Sequence, residues 1–151
     1  MSIATSITVQ GSYRIADKAL FDGVSLTIPA GQWSCLLGRS GVGKSTILRL
    51  ILGLETAGQF DGTIAAGDGE PIKGRASYMA QSDLLLPWLS LRENVVLGAR
   101  LRGERPDLDK ADAMIAQVGL TGDHAKKPGA LSGGMRQRAA LARTLMEDCP
   151  I

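Results

Sequence analysis

A glycine-rich loop is the stretch of this chain best suited to carry chemistry. It has the pattern G-x-x-x-x-G-K-[ST] and comprises Gly38, Arg39, Ser40, Gly41, Val42, Gly43, Lys44, Ser45 and Thr46. Glycines let backbone N–H groups point inward around a chain of phosphates, and the start of a following helix adds a dipole that favours anions. Lys44 can reach the β- and γ-phosphates, and the Ser45 hydroxyl can ligate Mg²⁺. The pattern therefore predicts binding of a nucleoside triphosphate with Mg²⁺ rather than an ordinary glycine-rich turn.

The segments on either side of this loop supply the strand and the helix that must position it. Residues 33–37 form an apolar run that predicts a buried strand containing Cys35, and the Pro-Ala-Gly sequence at residues 29–31 predicts a turn before it. Residues 47–52 predict a helix that is apolar nearly all round and therefore buried, and Gly53 is expected to end it.

Strand signals come before helix signals along the rest of the chain. Alternating apolar residues predict half-buried strands at residues 6–9 and 24–28, with two further short strands near residues 62–65 and 76–79. From residue 91 onward the apolar residues recur at helical spacing. Helices are predicted at residues 91–100, 108–118 and 133–146.

The composition fits one cytosolic globular domain. The 151 residues include 44% hydrophobic and 21% charged residues, with a formal net charge of +2. This small charge gives no reason to expect nucleic acid as a partner, and Lys126-Lys127 is interpreted as part of a solvated loop. Cys35 and Cys149 are interpreted as reduced thiols. Residues 1–6 show no signal peptide and no apolar run approaches membrane-spanning length, so any membrane role is expected to involve a partner.

A second glycine-bearing motif opens the last predicted helix. It comprises Leu131, Ser132, Gly133, Gly134 and Met135. A serine N-cap is one explanation of the motif. Two glycines weaken the first turn of a helix, however, so close approach of the backbone to an anion explains them better. Together with the phosphate loop, this segment resembles the signature loop of the ATP-binding cassette (ABC) ATPases, with Met135 in place of the usual glutamine. The resemblance extends over essentially the whole chain.

The resemblance implies ATP as the nucleotide and assigns roles to further residues. Tyr13, 25 residues before the phosphate loop, is similar in position to the aromatic residue that stacks on adenine; the alternative is an ordinary strand or turn tyrosine. Gln81 resembles the Q-loop glutamine, whose amide contacts Mg²⁺ or the attacking water; the alternative is a surface glutamine. Ser132, Gly133 and Gly134 would act in trans on the nucleotide held by a second copy.

Residues 84–95 are rich in large apolar side chains. In ABC importers the similar segment receives a helix of the membrane permease, so the resemblance implies docking here, with Leu85 and Trp88 as expected contact residues. The alternative is that the segment only packs the helical subdomain. The sequence of this segment, LLLPWLSLRENV, resembles the same segment in ATPases of importers for nitrate, sulfonates, taurine and the pyrimidine precursor of thiamine.

Part of the family's catalytic apparatus is not found in this sequence. The family carries an apolar strand ending in Asp-Glu after the signature, and a histidine further on, whereas this sequence ends at Ile151. Glu147 and Asp148 come too early to be that acidic pair, and His124, which precedes the signature, is interpreted as an exposed loop side chain. We therefore expect a truncated ATPase domain that hydrolyses ATP slowly by itself, because the positioned base is missing.

These features predict an α/β fold of the P-loop NTPase class. A partial RecA-like core with an antiparallel β portion is expected at about residues 1–81, a helical subdomain at about residues 82–132 and the signature helix at about residues 133–146. The implied protein is a cytoplasmic ATPase subunit that drives solute import as a dimer docked on membrane permease subunits. Two alternatives remain: a non-catalytic nucleotide-binding regulator, and a soluble ABC ATPase of DNA repair or chromosome structure, which the short interval from Gln81 to Leu131 disfavours.

Overall fold

The computed structural model describes residues 4–151, which form two compact units. The first unit comprises the described residues up to Ala76 together with Pro150–Ile151, and the second comprises Ser77–Cys149. Each unit has its own hydrophobic core. The expected lack of a signal peptide concerns residues 1–6, of which residues 1–3 lie outside the described part. The predicted boundaries near residues 81 and 132 stay predictions.

The first unit is built on a three-stranded antiparallel sheet. Its strands are β1 (Ile7–Ile15), β2 (Lys18–Ile28) and β3 (Gln59–Ala66), with β1 in the middle. Ile7 and Val9 alternate with more exposed neighbours, as the two-residue period of a strand requires, and both lie in the core. A shift of register between Gly11 and Tyr13 interrupts the pairing of β1 with β2.

One helix, α1 (Lys44–Ile51), belongs to the first unit and follows the phosphate loop directly. Ile47 and Ile51 are buried in the same core as the sheet residues, whereas Leu48 is 44% exposed. The helix is therefore amphipathic, and the expectation that it would be buried all round is wrong. It ends as predicted, with Gly53 at a φ of +65° just beyond the last turn.

Three of the predicted strands are confirmed and two are not. The segments at residues 6–9, 24–28 and 62–65 fall in β1, β2 and β3 except for residue 6, and each observed strand is longer than the predicted one, by up to six residues at one end. Residues 33–37 and 76–79 are not strands, and Trp33 and Leu37 are 103% and 84% exposed. A parallel strand needs neighbours to pair with, and the described part of the chain supplies none for these segments. The parallel part of the predicted core sheet is thus not formed among residues 4–151.

The second unit is helical. Its elements are α2 (Leu91–Val95), α3 (Leu97–Leu101), α4 (Leu108–Gln117), a short 3₁₀ turn (Pro128–Ala130) and α5 (Gly133–Met146). Side chains start three of these helices. Ser90 and Glu93 form a capping box at α2, Asp107 caps α4 and Ser132 caps α5. The predicted helix at residues 91–100 is divided into α2 and α3, while α4 and α5 match their predictions closely.

The core of the second unit lies where α2, α4 and α5 meet. Leu91, Val95 and Ile115 are completely buried there. The matching face of α5 carries Ala139 and Ala142, also without exposed surface. Small side chains let the backbone of α5 come close to its neighbours, so this helix lies in the middle of the unit.

Tyr13 belongs to the core of the first unit and does not face solvent. The residue is 1% exposed, and its ring stacks on Phe21 with 5.6 Å between the ring centroids. Its hydroxyl accepts a hydrogen bond from the N–H of Gly58 at 2.5 Å. The predicted stacking of Tyr13 on adenine is therefore corrected, because a buried ring has no face free for a base. The alternative, an ordinary strand tyrosine, matches the structure.

None of the helices within residues 4–151 has the length and apolar character needed to cross a membrane. Both cysteine thiols are free, and Cys35, expected in a buried strand, is exposed because that strand does not form.

The burial of Tyr13 predicts how its variants behave. Tyr13→Ala should lower the free energy of unfolding by about 3–5 kcal/mol, because it removes a buried ring. Tyr13→Phe keeps the ring and should cost only about 1 kcal/mol for the lost hydrogen bond. Urea denaturation followed by circular dichroism measures both, with Tyr78→Ala as the control at a residue that is 39% exposed. Unchanged stability of Tyr13→Ala with weakened ATP binding would instead support the adenine role.

Candidate nucleotide site

The start of α1 forms a cradle for an anion. Gly43, the residue before the helix, has a φ of +101°, and Gly41 has a φ of +80°. Both lie in the left-handed region that favours glycine. A β-carbon on Gly43 would also lie 2.9 Å from the ring of Phe21 on β2, so close packing requires glycine as well. No side chain caps α1, which leaves the N–H groups of residues 44–46 available to a ligand.

The side chain of Lys44 turns back over the loop. Its Nζ donates hydrogen bonds to the main-chain oxygens of Gly38 and Arg39, both at 2.8 Å. The sequence contains no Asp or Glu between residues 29 and 54. Arg39 and Lys44 therefore bring positive charge to a segment with no carboxylate of its own, which favours an anionic ligand.

These groups fit a triphosphate with Mg²⁺. The cradle offers backbone amides and an ammonium group to phosphate oxygens, and the exposed Ser45 contributes a hydroxyl oxygen, the ligand type that Mg²⁺ prefers. Within residues 4–151, no group of three or more His, Cys, Asp or Glu side chains is placed to hold a metal ion. The Ser45 hydroxyl and the Gln81 amide stay the ligands predicted for Mg²⁺ from the sequence.

A cavity of about 440 Å³ adjoins the cradle. It is lined by Lys44 and Val42 from the loop and by residues of β2. One carboxylate, that of Asp22, lines it. Asp22 accepts a hydrogen bond from the hydroxyl of Ser12 at 2.6 Å, so Asp22 already has a partner within the sheet.

The remaining predicted site residues belong to the second unit. The side chain of Gln81 is exposed, and its main-chain oxygen accepts a hydrogen bond at 3.0 Å from Gln137 on α5. The hydroxyl of Ser132 accepts a hydrogen bond from the N–H of Met135 at 3.3 Å. Residues 133–134 are exposed at the start of α5. The structure thus brings Gln81 next to the signature helix. The roles of these residues towards Mg²⁺ and ATP stay predictions.

The predicted docking segment is divided between surface and core. Leu84 and Trp88 are 61% and 65% exposed, whereas Leu85 is 8% exposed and packs in the helical core with Leu91. The expectation that Leu85 contacts a partner is therefore wrong, because its side chain is already buried. Leu85 therefore packs the helical unit, as the alternative expected, whereas Leu84 and Trp88 face solvent and docking through them stays a prediction.

Sequence analysis missed the polar residues that hold this segment in place. These are Asp83, Asn94, Arg136 and Arg143. Asn94 is completely buried and Arg143 donates to main-chain oxygens of the segment. One signal was available: Arg136 and Arg143 are seven residues apart and therefore lie on the same face of α5.

His124 is half-buried, which corrects its interpretation as an exposed loop side chain. Its Nε2 lies 3.5 Å from Oδ1 of Asp112, and its main-chain oxygen accepts a hydrogen bond from the N–H of Arg92. The guanidinium of Arg92 also pairs with Asp112 and holds the pKa of that carboxyl below its usual range. These contacts tie the loop to α2 and α4. Glu147 is similarly engaged, by an ion pair with Arg102.

The sequence of this chain is similar to those of known proteins. The family model described as ABC transporter matches residues 21–151. The chain is 44% identical over 133 residues to an uncharacterized ABC transporter ATP-binding protein of Haemophilus influenzae. The aligned region covers 87% of this chain and 54% of that protein. It is 40% identical over 144 residues to the aliphatic sulfonates import ATP-binding protein SsuB 2 of Streptomyces avermitilis, covering 95% of this chain and 54% of that protein. A protein of Delftia acidovorans named aliphatic sulfonates import ATP-binding protein SsuB is 38% identical over 97% of this chain and 58% of its own length.

The chain spans about half the length of the curated relatives it matches. The phosphate loop and the signature segment both lie inside the matched residues 21–151. The predicted α/β class of P-loop NTPase and the resemblance to ABC ATPases are thereby confirmed. With that match and the phosphate cradle at the start of α1, the chain belongs to the ABC transporter family.

Proposed function

We propose that this chain is the ATP-binding part of an ABC importer subunit, which binds ATP with Mg²⁺ at residues 38–46. The observation that carries the proposal is the cradle at the start of α1, where left-handed glycines and uncapped amides meet Lys44. The import function is supported by the relatives named as sulfonate import ATP-binding proteins. Hydrolysis of ATP belongs to the complete domain in this proposal.

Each residue of the cradle has a distinct task. The amides of residues 44–46 would bind phosphate oxygens, and Lys44 would exchange its two carbonyl partners in the loop for phosphate. Ser45 and Gln81 would supply oxygen ligands to Mg²⁺. When bound, that ion would neutralise phosphate charge. Tyr13 is left out of this assignment because it is buried.

The signature residues are proposed to act on the nucleotide of a second copy. Ser132 uses its hydroxyl to cap α5, and Gly133 and Gly134 are exposed on the first turn. That turn carries no acidic residue, so it remains attractive to an anion through its amides and the helix dipole. Two copies would then complete two composite sites, with the phosphate loop of one facing the signature of the other.

The exposed Leu84 and Trp88 are proposed to contact the membrane permease of the importer, which would hold the subunit at the cytoplasmic face of the membrane. The two side chains are large, apolar and largely solvent-exposed on a loop of the second unit. Exposed apolar groups of this size mark protein contacts more often than isolated surface leucines do. The relative named as a sulfonates import ATP-binding protein supports a role in import, and we propose that the solute crosses the membrane through the permease.

A non-catalytic nucleotide-binding role is the second candidate. It is favoured by the lack of any carboxylate between residues 29 and 54 and by the engagement of Asp22 with Ser12. Residues 29–54 therefore contain no carboxylate that could act as a base towards an attacking water, and Asp22 is already hydrogen-bonded to Ser12. The slow hydrolysis expected of the 151-residue chain stays a prediction.

The binding proposal predicts the effect of removing the loop ammonium. Lys44→Ala should weaken ATP–Mg²⁺ binding by about 10- to 100-fold, because charged hydrogen bonds to phosphate are lost. Isothermal titration calorimetry on the 151-residue chain measures the dissociation constant. Lys18→Ala removes an equal charge from an exposed position of β2 and should change nothing. Equal affinities for the wild type and Lys44→Ala would end the proposal.

The signature proposal predicts separation of binding from turnover. In a longer polypeptide that carries the acidic pair, Ser132→Arg should keep ATP affinity and lose at least about tenfold in hydrolysis, because the charged side chain obstructs the exposed first turn of α5. Mixing it with Lys44→Ala should restore no more than one composite site per dimer. Thr121→Arg adds the same charge to an exposed loop and serves as control. Full turnover by Ser132→Arg contradicts action in trans. No turnover by the parent polypeptide favours the non-catalytic role.

A further inference from the structure

The loop that presents Leu84 and Trp88 is held by side chains rather than by regular secondary structure. Asn94 of α2 is completely buried, and its Oδ1 accepts a hydrogen bond from the N–H of Leu86 at 2.7 Å. Its Nδ2 donates to the main-chain oxygens of Leu86, Leu89 and Ser90 at 3.0–3.3 Å. One amide thus satisfies the turn on the C-terminal side of Leu85, which keeps Trp88 in a defined place.

On the N-terminal side, the chain adopts an unusual conformation at Leu84. This residue has a φ of +49°, in the left-handed region that a leucine seldom adopts because of its β-carbon. The side chain is 61% exposed, so its own burial does not compensate for the strain. Neighbouring groups must therefore hold the turn.

Arg143 of α5 supplies that compensation. Its guanidinium donates to the main-chain oxygen of Leu84 at 2.8 Å and to that of Asp83 at 2.7 Å. The planar guanidinium fork can bind two acceptors at once, and here these acceptors are two successive carbonyls of the turn. The side chain of Asp83 completes the turn by accepting a hydrogen bond from the N–H of Leu85 at 3.1 Å.

The same helix holds the segment at further points and connects it to the signature. Nε of Arg136 lies 3.0 Å from Oδ2 of Asp83, and its Nη1 donates to the main-chain oxygen of Leu131 at 3.0 Å. The amide of Leu85 and the guanidinium of Arg136 hold the pKa of Asp83 below its usual range, so this carboxylate is charged at neutral pH. Arg136 therefore joins the first signature residue to the loop at Asp83.

We propose that Arg143 is a positioning residue that holds Leu84 in its left-handed conformation, so that Leu84 and Trp88 are presented to the permease in a fixed relation to the signature helix α5. The inference rests on the proposed docking function and extends it, since it names the groups that make the docking loop rigid. A rigid loop binds its partner with a smaller loss of conformational entropy and transmits a movement of α5 to the contact.

Amide hydrogen exchange of the 151-residue chain tests the positioning without any partner. In Arg143→Met, exchange of the Leu85 N–H should rise by about tenfold or more, because the turn loses two charged hydrogen bonds. Exchange of Ile115 in the core should not change. Arg143→Lys should give an intermediate rate, because an ammonium group lacks the planar fork. Arg138→Met removes an equal charge from an exposed position of α5 and should have no effect.

A second substitution separates positioning from general packing. In the Arg143→Met background, Leu84→Asn should restore protection of the Leu85 N–H, because asparagine accepts the left-handed conformation more readily than leucine. Leu84→Val should not restore it, because a β-branched residue disfavours that conformation. Unchanged exchange in Arg143→Met would overturn the proposal. Equal behaviour of the two Leu84 variants, or a uniform rise across α2, α4 and α5, would overturn it as well.

The assembled importer then tests the consequence for docking. Arg143→Met should reduce the stimulation of ATP hydrolysis by the permease several-fold while the dissociation constant for ATP stays unchanged, since the phosphate cradle belongs to the first unit and Arg143 to the second. Trp88→Ser tests the docking function alone and should reduce the stimulation too. Full stimulation with Trp88→Ser would refute the docking function, and the exchange rates would still decide the role of Arg143. Full stimulation with Arg143→Met, where Trp88→Ser reduces it, would refute the positioning role in docking.

Discussion

The backbone conformation at the start of α1 is the constraint on which the function of this chain depends. The positive φ angles of Gly41 and Gly43 turn the chain sharply into the helix, and only glycine adopts them at little cost. The contact of Gly43 with Phe21 fixes the same point against the sheet. As a result, the first-turn amides of α1 remain uncapped and Lys44 folds back over the loop. The core of the first unit, including the buried Tyr13, supports this arrangement.

In the second unit, α5 is the element to which most of the other parts are attached. One face carries alanines that pack closely in the helical core, and its first turn carries the exposed signature glycines. A third group of side chains, Arg136, Gln137 and Arg143, bonds to the backbone or side chains of residues 81–84. A displacement of this helix would therefore move the signature, Gln81 and the exposed Leu84 together. Under the proposed function, a movement of α5 would link the state of the nucleotide to contact with a membrane partner.

Local signals in the sequence predicted local structure well. The serine cap and glycine pair marked the start of α5 correctly, helical spacing predicted its extent to residue 146, and the phosphate loop and Gly53 bracketed α1. Predictions failed where the outcome depends on distant parts of the chain. The apolar run at residues 33–37 has strand character, yet a strand forms only where a neighbour pairs with it.

For Tyr13, the separation from the phosphate loop did not show on which face of β1 the side chain lies. Side chains alternate between the two faces of a strand, and Tyr13 is separated from the buried Ile7 and Val9 by an even number of residues. This alternation was the better guide to its burial. The hydrogen bonds from Arg143 to Asp83 and Leu84 span about sixty residues, and the sequence pattern carried no sign of them beyond the helical spacing of Arg136 and Arg143.

The central claim is that the amides at the start of α1 bind a triphosphate. Titration of the ¹⁵N-labelled chain with ATP–Mg²⁺, followed by two-dimensional NMR, observes these groups one by one. The account predicts large changes in chemical shift for the N–H groups of residues 41–46, weaker changes with ADP and none with AMP, because binding depends on the number of phosphates. Unmoved signals from residues 41–46 at saturating ATP, or equal changes with ATP and AMP, would contradict it.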